Sequence, residues 1–322
     1  MSGSVRTIGA DAAKALWFVF WLMISATTAF SQGPAPETGN TIFPGGGVVA
    51  YGADFFSRKP PASAASAGIP PSLLPTLGVP ETVMFGWGFY RDFELEAATS
   101  IVSNRLDLPD EVAPIHAGGT GVGDSLVALK YRFLRLDSAR GTTQASVVIG
   151  PKLPTGTTGL RDASGALLPV TLQPGSGSTD LFAAVYGTYT GLLNVEKLVG
   201  DLSVEYLRRT TGAESTRLGN SFHARLYLPY RPYEAHGLGG EWWIGPELDW
   251  HHDSPERISG LRQPNSGAEV LSVGAATYYS PRPGLELWFG VDFAAAQQWS
   301  GVQDTVRRHF TVGISKQFRI GR

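Results

Sequence analysis

The chain contains no cysteine, which excludes disulfides and thiolate metal sites. Charge of one sign does not dominate, because the 322 residues carry a formal net charge of −2, and nothing indicates a nucleic-acid partner. Apolar runs of the about 20 residues that a membrane helix needs are also absent. Glycine is abundant, with 40 residues, and aromatic residues make up 11% of the chain. Disordered chains are poor in aromatics, so this composition indicates many strands joined by turns.

The first residues have the order of a secretory signal peptide. Two basic residues precede a short apolar run, ALWFVFWLMI, and small residues follow as far as Ser31. The run is too short for an uncleaved anchor helix, which is the alternative interpretation. We therefore assign residues 1–31 to a cleaved signal peptide and residues 32–322 to one domain of an exported protein.

From Gly46 onwards, apolar residues recur with a period of two, which is typical of strands with one apolar face. In VALKYRF, for example, Val127, Leu129 and Tyr131 alternate with smaller or charged residues. We count twelve such segments, the fourth at about 121–136 and the eighth at about 219–231. Most are longer than the about 5–6 residues of a soluble strand and reach the about 9–11 residues that cross a bilayer.

The connections between these segments alternate between long and short along the chain. Outer-membrane barrels have this asymmetry, with short periplasmic turns and longer extracellular loops. The sequence therefore predicts an all-β fold, an antiparallel transmembrane up-and-down β-barrel of about 12 strands in the bacterial outer membrane, with both termini in the periplasm. Its apolar face would meet lipid and its polar face the lumen. Aromatic residues near the strand ends favour this arrangement over a soluble barrel with the faces reversed.

A glycine-rich stretch, GGTGVGDS, raises the possibility of a phosphate-binding loop. It lacks the G-K-[ST] ending, and the residues after it have a period of two, whereas a phosphate-binding loop leads into a helix. We expect these glycines to lead a long outer loop, 103–120, to the barrel rim, with Asp124 at the mouth and Lys130 in the lumen.

The last segment, HFTVGISKQF, has apolar residues of one parity and ends in Phe318. It resembles the C-terminal signal read by the outer-membrane assembly machinery, which we expect as a partner during biogenesis. Four further residues follow Phe318, which is a departure from that signal.

Three short motifs occur in a fixed order: GVGDSLVALKYRF at 121–133, GPKLPTG at 150–156 and GSGSTDLFAAVYGTY at 175–189. With the earlier hairpin FGWGFYRDFELEAA, they resemble the outer-membrane "MetA-pathway of phenol degradation" transporter family. The resemblance implies a porin-like channel for small hydrophobic or aromatic organic compounds, which cross by passive permeation. It covers mainly residues 82–190, and the later half matches in strand rhythm.

Charged residues on the polar face are the candidates for lining a pore, where charged rings select permeants. They are Glu94, Glu96, Lys130, Arg132, Asp201, Glu205, Arg225, Glu247, Asp249, Glu286 and Asp292. The alternative is that these charges pair with one another and fill the lumen. Twelve strands lie between the 8 of a filled barrel and the 16–18 of an open porin, so both a narrow and a plugged pore stay open.

The start of the fifth loop is a candidate constriction if it folds into the lumen. Its residues are Lys152, Pro154, Thr155 and Gly156. An ordinary strand exit into a mobile loop is the alternative.

The segment HHDSPE contains metal-ligand chemistry, but adjacent residues on a strand face opposite sides, so His251 and His252 are not expected to share an ion. We predict neither a metal nor a cofactor. A lipid hydrolase would need a serine and a histidine within hydrogen-bond reach, and Ser254 near His252 is the candidate pair. We do not expect an enzyme. A structural or adhesive barrel without transport is the other alternative.

Overall fold

The computed structural model describes residues 38–59, 77–108, 115–162, 164–234, 240–264, 266–300 and 305–320. The expected signal peptide lies outside these ranges. Within them the chain forms strands β1 Gly46–Lys59, β2 Leu77–Tyr90, β3 Phe93–Leu108, β4 Ile115–Val122, β5 Ser125–Ser138, β6 Gly141–Leu153, β7 Asp180–Thr190, β8 Val199–Arg208, β9 Thr216–Arg217, β10 Ser221–Tyr227, β11 Tyr230–Glu234, β12 Glu241–Asp253, β13 Arg257–Ile258, β14 Leu261–Arg262, β15 Ala268–Arg282, β16 Leu285–Trp299 and β17 Thr305–Arg319.

Helical structure is sparse. Three short 3₁₀ turns occur in the described part of the chain, at Val170–Leu172, Leu192–Asn194 and Ala213–Ser215. In the same part, no helix has the length and apolar character needed to cross a membrane.

The strands form a closed antiparallel barrel. Successive strands around the barrel pair with each other, β1 pairs with β17, and β10 pairs with both β8 and β12, which closes the sheet. Strands β9, β13 and β14 form a separate small sheet. Two of the barrel strands, each called a wall here like the other ten, are interrupted and consist of two shorter strands end to end: β4 with β5, and β10 with β11. Counted in this way, the described residues form the twelve barrel strands that the sequence predicts.

The barrel is apolar outside and polar inside. On β5, Leu129 and Phe133 are 38% and 52% exposed, whereas Ala128 and Lys130 are each 2% exposed. The other walls follow the same alternation, with exposed Trp87, among others, on the outer face. This distribution is the reverse of that in a soluble barrel and is the one expected in lipid.

The glycine-rich stretch differs from the expectation of a loop reaching the rim. Residues 115–122 form β4, which pairs with β3 from Ile101 to Leu108, so most of the expected loop 103–120 is strand. The fourth wall breaks only at Gly123 and Asp124. Glycine has low strand propensity, and we therefore read these glycines as turn residues. Backbone pairing with β3 overrides that preference. The close packing of a loop against β4, described below, leaves no room for a side chain at these positions.

The long connections interact at one end of the barrel. The Ala213 N–H donates to the carbonyl of Ser176 at 3.0 Å, which joins the loop 154–179 to the loop 209–220. Strand β9 of the latter pairs with β13 of the loop 254–267, and β13 pairs with β14. This end, here called the long-loop end, is extracellular in outer-membrane barrels.

Candidate functional site: the barrel interior

The barrel interior brings together all the charged residues predicted to line a pore. Each lies on the interior face of its strand, because residues two apart share a face and directly paired residues share it too.

One group of these charges lies on β3 and β5. The Lys130 Nζ is 3.7 Å from a carboxylate oxygen of Glu96 and lies 5.4 Å from the centre of the Tyr186 ring. Arg132 donates to Asp92 Oδ1 at 2.6 Å and to Gln144 Oε1 at 2.8 Å. Both cations therefore have partners on neighbouring strands or in the turn before β3.

A second group lies on β7 and β8. The hydroxyl of Thr188 donates to Asp201 at 2.6 Å, and the hydroxyl of Tyr186 donates to Glu205 at 3.0 Å. Glu205 also lies 3.8 Å from His223, with which it is directly paired on β10.

The remaining charges lie on β10, β12, β16 and β17. His223 hydrogen bonds to Asp249, and Arg225 lies 3.7 Å from Glu247. His309 is 3.3 Å from Asp292 through Nδ1. The last of the predicted residues, Glu286, is partly buried on β16 and is directly paired with Ser315 of β17. The interior charges are thus extensively paired, which is the alternative that the sequence left open.

His309 also bonds through Nε2 to Asp54 on β1, at 2.9 Å. Sequence analysis did not single out Asp54, Asp92 or Gln144. Their position in segments predicted as strands with polar interior faces was the signal that could have found all three, although Asp92 lies in the turn before β3 in the structure.

The segment before the first strand lies against the interior wall. The Gly39 N–H donates to Thr188 Oγ1 at 2.9 Å, and the Ile42 N–H donates to Glu94 Oε2 at 3.0 Å. Because Thr188 is on β7 and Glu94 is on β3, residues 39–42 extend from one part of the wall to another, inside the barrel. Thr41 is 2% exposed.

Two interior-facing glycines make room for this lumen segment, residues 38–43. A Cβ at Gly86 would lie 2.8 Å from a Val48 methyl and 2.9 Å from Ile42, and a Cβ at Gly88 would lie 2.5 Å from the Phe43 carbonyl oxygen. Sequence analysis missed the lumen segment. The alternation of glycine with aromatics in FGWGFY was a signal for this segment, because glycines on the interior face leave space beside the strand that another part of the chain can fill.

The interior is not uniformly polar. On β5 to β7, buried Ala128, Val148 and Tyr186 pack with partly buried Leu126 and Phe182. A second cluster, here called the aromatic wall, consists of Tyr227, Ala276, Tyr278, Trp243 and Trp288. The interior therefore has apolar and aromatic surfaces beside its ion pairs.

A cavity of about 460 Å³ lies beside the lumen segment. Its lining includes Thr38 of that segment, Arg132, Asp201, Arg231 and Trp243 of the aromatic wall. The Arg231 guanidinium lies 5.1 Å from the centre of the Trp243 ring, a cation–π arrangement. The volume suits a small molecule.

The loop that begins at the candidate constriction residues is anchored to the wall. Lys152 lies between two carboxylates: it forms an ion pair with Asp124 and another with Asp180 at 2.9 Å. The Thr155 hydroxyl donates to Ser125 at 2.8 Å, and the Gly156 N–H donates to Asp124 at 3.1 Å. The fourth candidate, Pro154, is exposed.

Asp124 lies at the break between β4 and β5, beyond the spanning strand. Burial acts to raise its pKa, but hydrogen bonds from Lys152 and Ser176 outweigh burial and hold the pKa of this carboxyl below its usual range. The three motifs GVGD, K-L-P-T-G and GSGSTD thus meet at one ion-pair cluster, Asp124, Lys152 and Asp180.

The same loop lies on the interior side of β4. A Cβ at Gly121 would lie 2.8 Å from the Thr157 hydroxyl, and one at Gly119 would lie 2.6 Å from Leu160. These glycines alternate with Val122, which is 48% exposed on the outer face. Leu168 and Leu172, both nearly fully buried, pack with Leu160 in a small core within the loop.

His251 and His252 lie on opposite faces, as expected from the strand period, with His252 exposed. His251 instead faces His223, with ring centres 5.9 Å apart. The described residues contain no group of three or more His, Cys, Asp or Glu arranged to hold a metal ion. The Ser254 hydroxyl oxygen accepts from the Asn220 N–H at 2.8 Å, and no contact with His252 accompanies it among the described residues.

No family model matches the sequence, and no curated protein does either. Solved structures do match. An outer-membrane channel of the COG4313 group from Pseudomonas putida F1 is 16% identical, with 89% of this chain and 100% of that chain covered and a TM-score of 0.56. The KdgM porin, in complex with disordered oligogalacturonate, is 9% identical, with 84% and 99% covered and a TM-score of 0.42. The CymD monoaromatic hydrocarbon channel is 8% identical, with 86% and 90% covered and a TM-score of 0.41. The first of these likenesses shows that this chain has the fold of an outer-membrane barrel.

Proposed function

We propose that this chain is an outer-membrane channel through which small organic molecules cross passively. The observation that carries the proposal is a cavity of about 460 Å³ at the short-turn end of the interior of a closed barrel whose outer face is apolar. The fold shared with an outer-membrane channel of the COG4313 group supports it.

The permeants we propose are small and include aromatic compounds. The aromatic wall supports this, because its Trp243 lines the cavity and offers an aromatic surface to a solute. The resemblance to phenol-degradation transporters points to the same chemical class. The charged residues of both signs that line the same cavity would bind a polar substituent of the solute without producing a strong net field.

The lumen segment sets the size limit in this proposal. Residues 38–43 occupy space that an empty barrel of twelve strands would leave to solvent, and hydrogen bonds to Glu94 and Thr188 hold them in place. Large polar solutes would therefore be excluded.

A structural or adhesive barrel without transport is the second candidate. The extensive pairing of interior charges favours it, because paired charges can simply fill a lumen.

Planar bilayers and liposomes separate the two functions. We expect purified barrel to give small, discrete conductance steps, and liposomes that contain it to take up phenol faster than liposomes made with unfolded barrel, with a smaller gain for a sugar of larger size. Barrel that has been heat-unfolded before reconstitution is the control. Absence of both conductance and solute flux from barrel that still shows a heat-dependent shift on gels would leave the structural function.

A further inference from the structure

Three arginines form a row across the small sheet at the long-loop end. The register pairs Arg217 of β9 with Arg257 of β13, and Arg257 with Arg262 of β14. Directly paired residues share a face, so the three side chains are neighbours on one side of the sheet. Like charges placed directly opposite each other destabilise a sheet. A sheet of only two residues per strand would therefore be stabler without this row.

Counter-charges for the row are missing from the described residues. Among these, no carboxylate oxygen lies within 4.0 Å of the Arg217, Arg257 or Arg262 guanidinium groups. Arg217 donates to the Asn220 side-chain oxygen at 3.3 Å, and Arg257 donates to the Gly260 carbonyl at 3.5 Å, both long and uncharged contacts.

The nearest acidic residue in sequence, Glu256, does not neutralise the row. Burial raises the pKa of the Glu256 carboxyl above its usual value, the charge of Arg209 opposes the increase, and Asp253 adds to it. An ion pair with Arg257 would instead lower the pKa of the carboxyl group.

The row lines a cavity of about 310 Å³ together with polar groups that can donate hydrogen bonds. Asn220 and Ser254 lie in the same lining. The Ser254 oxygen accepts from the Asn220 N–H, which leaves the hydroxyl proton to point at a ligand.

The backbone around the row is strained. Of the four non-glycine residues with positive φ in the described chain, three flank this sheet: Glu214 at 53°, Ser215 at 53° and Ser259 at 51°. Such conformations are unfavourable for residues with a side chain and cluster at binding sites, where the surrounding fold maintains them.

We propose that this cavity binds a phosphate group, either of a soluble phosphate compound or of a phosphorylated lipid headgroup. A phosphate monoester carries about −1.5 to −2 charges at neutral pH and three acceptor oxygens, which match three guanidinium groups. A guanidinium group binds a phosphate through two parallel hydrogen bonds. A carboxylate on a ligand could form such a bidentate pair with only one of the three arginines. The site shares no lining residue with the cavity beside the lumen segment and does not depend on the permeation proposed above.

The test measures binding to the folded full-length barrel in uncharged detergent. Calorimetry with inorganic pyrophosphate examines the soluble source, and native mass spectrometry with bisphosphorylated lipid A examines the headgroup source. We expect R257Q to weaken binding about tenfold and the R257Q/R262Q pair to weaken it further. The control is R161Q, which removes one charge from the loop 154–179, as R257Q does from the loop 254–267, and which should leave binding unchanged.

Binding of pyrophosphate that the double variant loses supports a soluble ligand, and binding of lipid A alone that it loses supports a headgroup. Failure of both probes to bind, or equal binding by wild type and the double variant, overturns the proposal. A heat-dependent gel shift that matches wild type shows that each variant is folded, and Arg257 and Arg262 are exposed, so their replacement is tolerated.

Discussion

Lys152 Nζ lies 2.9 Å from Asp180 Oδ2, and the Asp180 side chain is fully buried there. The same ammonium group pairs with Asp124, so one cation bridges two carboxylates, one at the break between β4 and β5 and one on β7. These ion pairs join β6 to its neighbours where the loop 154–179 begins, and the Gly156 and Ser176 N–H groups of that loop donate to Asp124.

Replacing Lys152 by methionine should release this loop. Removal of one partner from a buried ion pair costs about 3–5 kcal/mol, because the other charges lose their compensation. We expect the loop to open more often, with trypsin cleavage after Arg161, which is exposed, rising about a hundredfold in rate. Mapping the cleavage sites by mass spectrometry measures this, and K152R, which keeps the charge, is the control. Equal cleavage in both variants would show that the ion pairs do not hold the loop.

The same anchor should be lost only in acid. The folded pKa of Asp124 lies below its ordinary value of 3.8, so its contribution to stability is complete above that pH and declines as the pH falls through the folded pKa. Hydrogen exchange at the Gly156 and Ser176 amides, which donate to Asp124, should therefore stay slow at pH 5 and quicken well below pH 3.8, after correction for intrinsic rates. In D124N, which has no carboxyl group to titrate, protection should not follow this pH dependence. Loss of protection already at pH 5 in the wild type would contradict the assignment.

The fold could be read from the sequence because period-two alternation depends on the local chain alone. The residues of β5, from Ser125 to Phe133, display both faces of the wall in nine positions, so its inward charges were predicted correctly. The break at Gly123 and the pairing of β4 with β3 were not, because glycine gives no signal for either face.

The contents of the lumen were beyond the sequence for a different reason. Residues 38–43 lie before the first periodic segment, and their partners Glu94 and Thr188 are 52 and 149 positions away from the donors. Contacts this distant follow from barrel closure and leave no local pattern. The arginine row depends on pairing between two loops and was missed for the same reason.

Gly88→Val should displace the lumen segment and widen the channel. The new side chain would point at the backbone carbonyl oxygens of Ile42 and Phe43, and the strand backbone itself needs no positive φ at this position. We expect single-channel conductance in planar bilayers to rise. The control is Gly187→Ala, another strand glycine, where an added Cβ meets nothing within 4 Å and conductance should be unchanged. A Gly88→Val barrel that is folded and conducts like wild type would show that the segment does not limit the pore.

Trp242 and Trp243 provide a matched test of the aromatic wall, because they are adjacent on β12 and face opposite ways. Trp242 is 47% exposed on the outer face, whereas Trp243 packs with Tyr227 and Tyr278 inside. An aromatic pair contributes about 0.5–1.5 kcal/mol beyond the area it buries, so W243A should lower phenol flux about three- to tenfold relative to the flux of a small polar solute. W242A should leave this ratio unchanged, because its ring faces lipid. A W243A barrel that slows both solutes equally would mean that Trp243 shapes the lumen but does not select aromatic permeants.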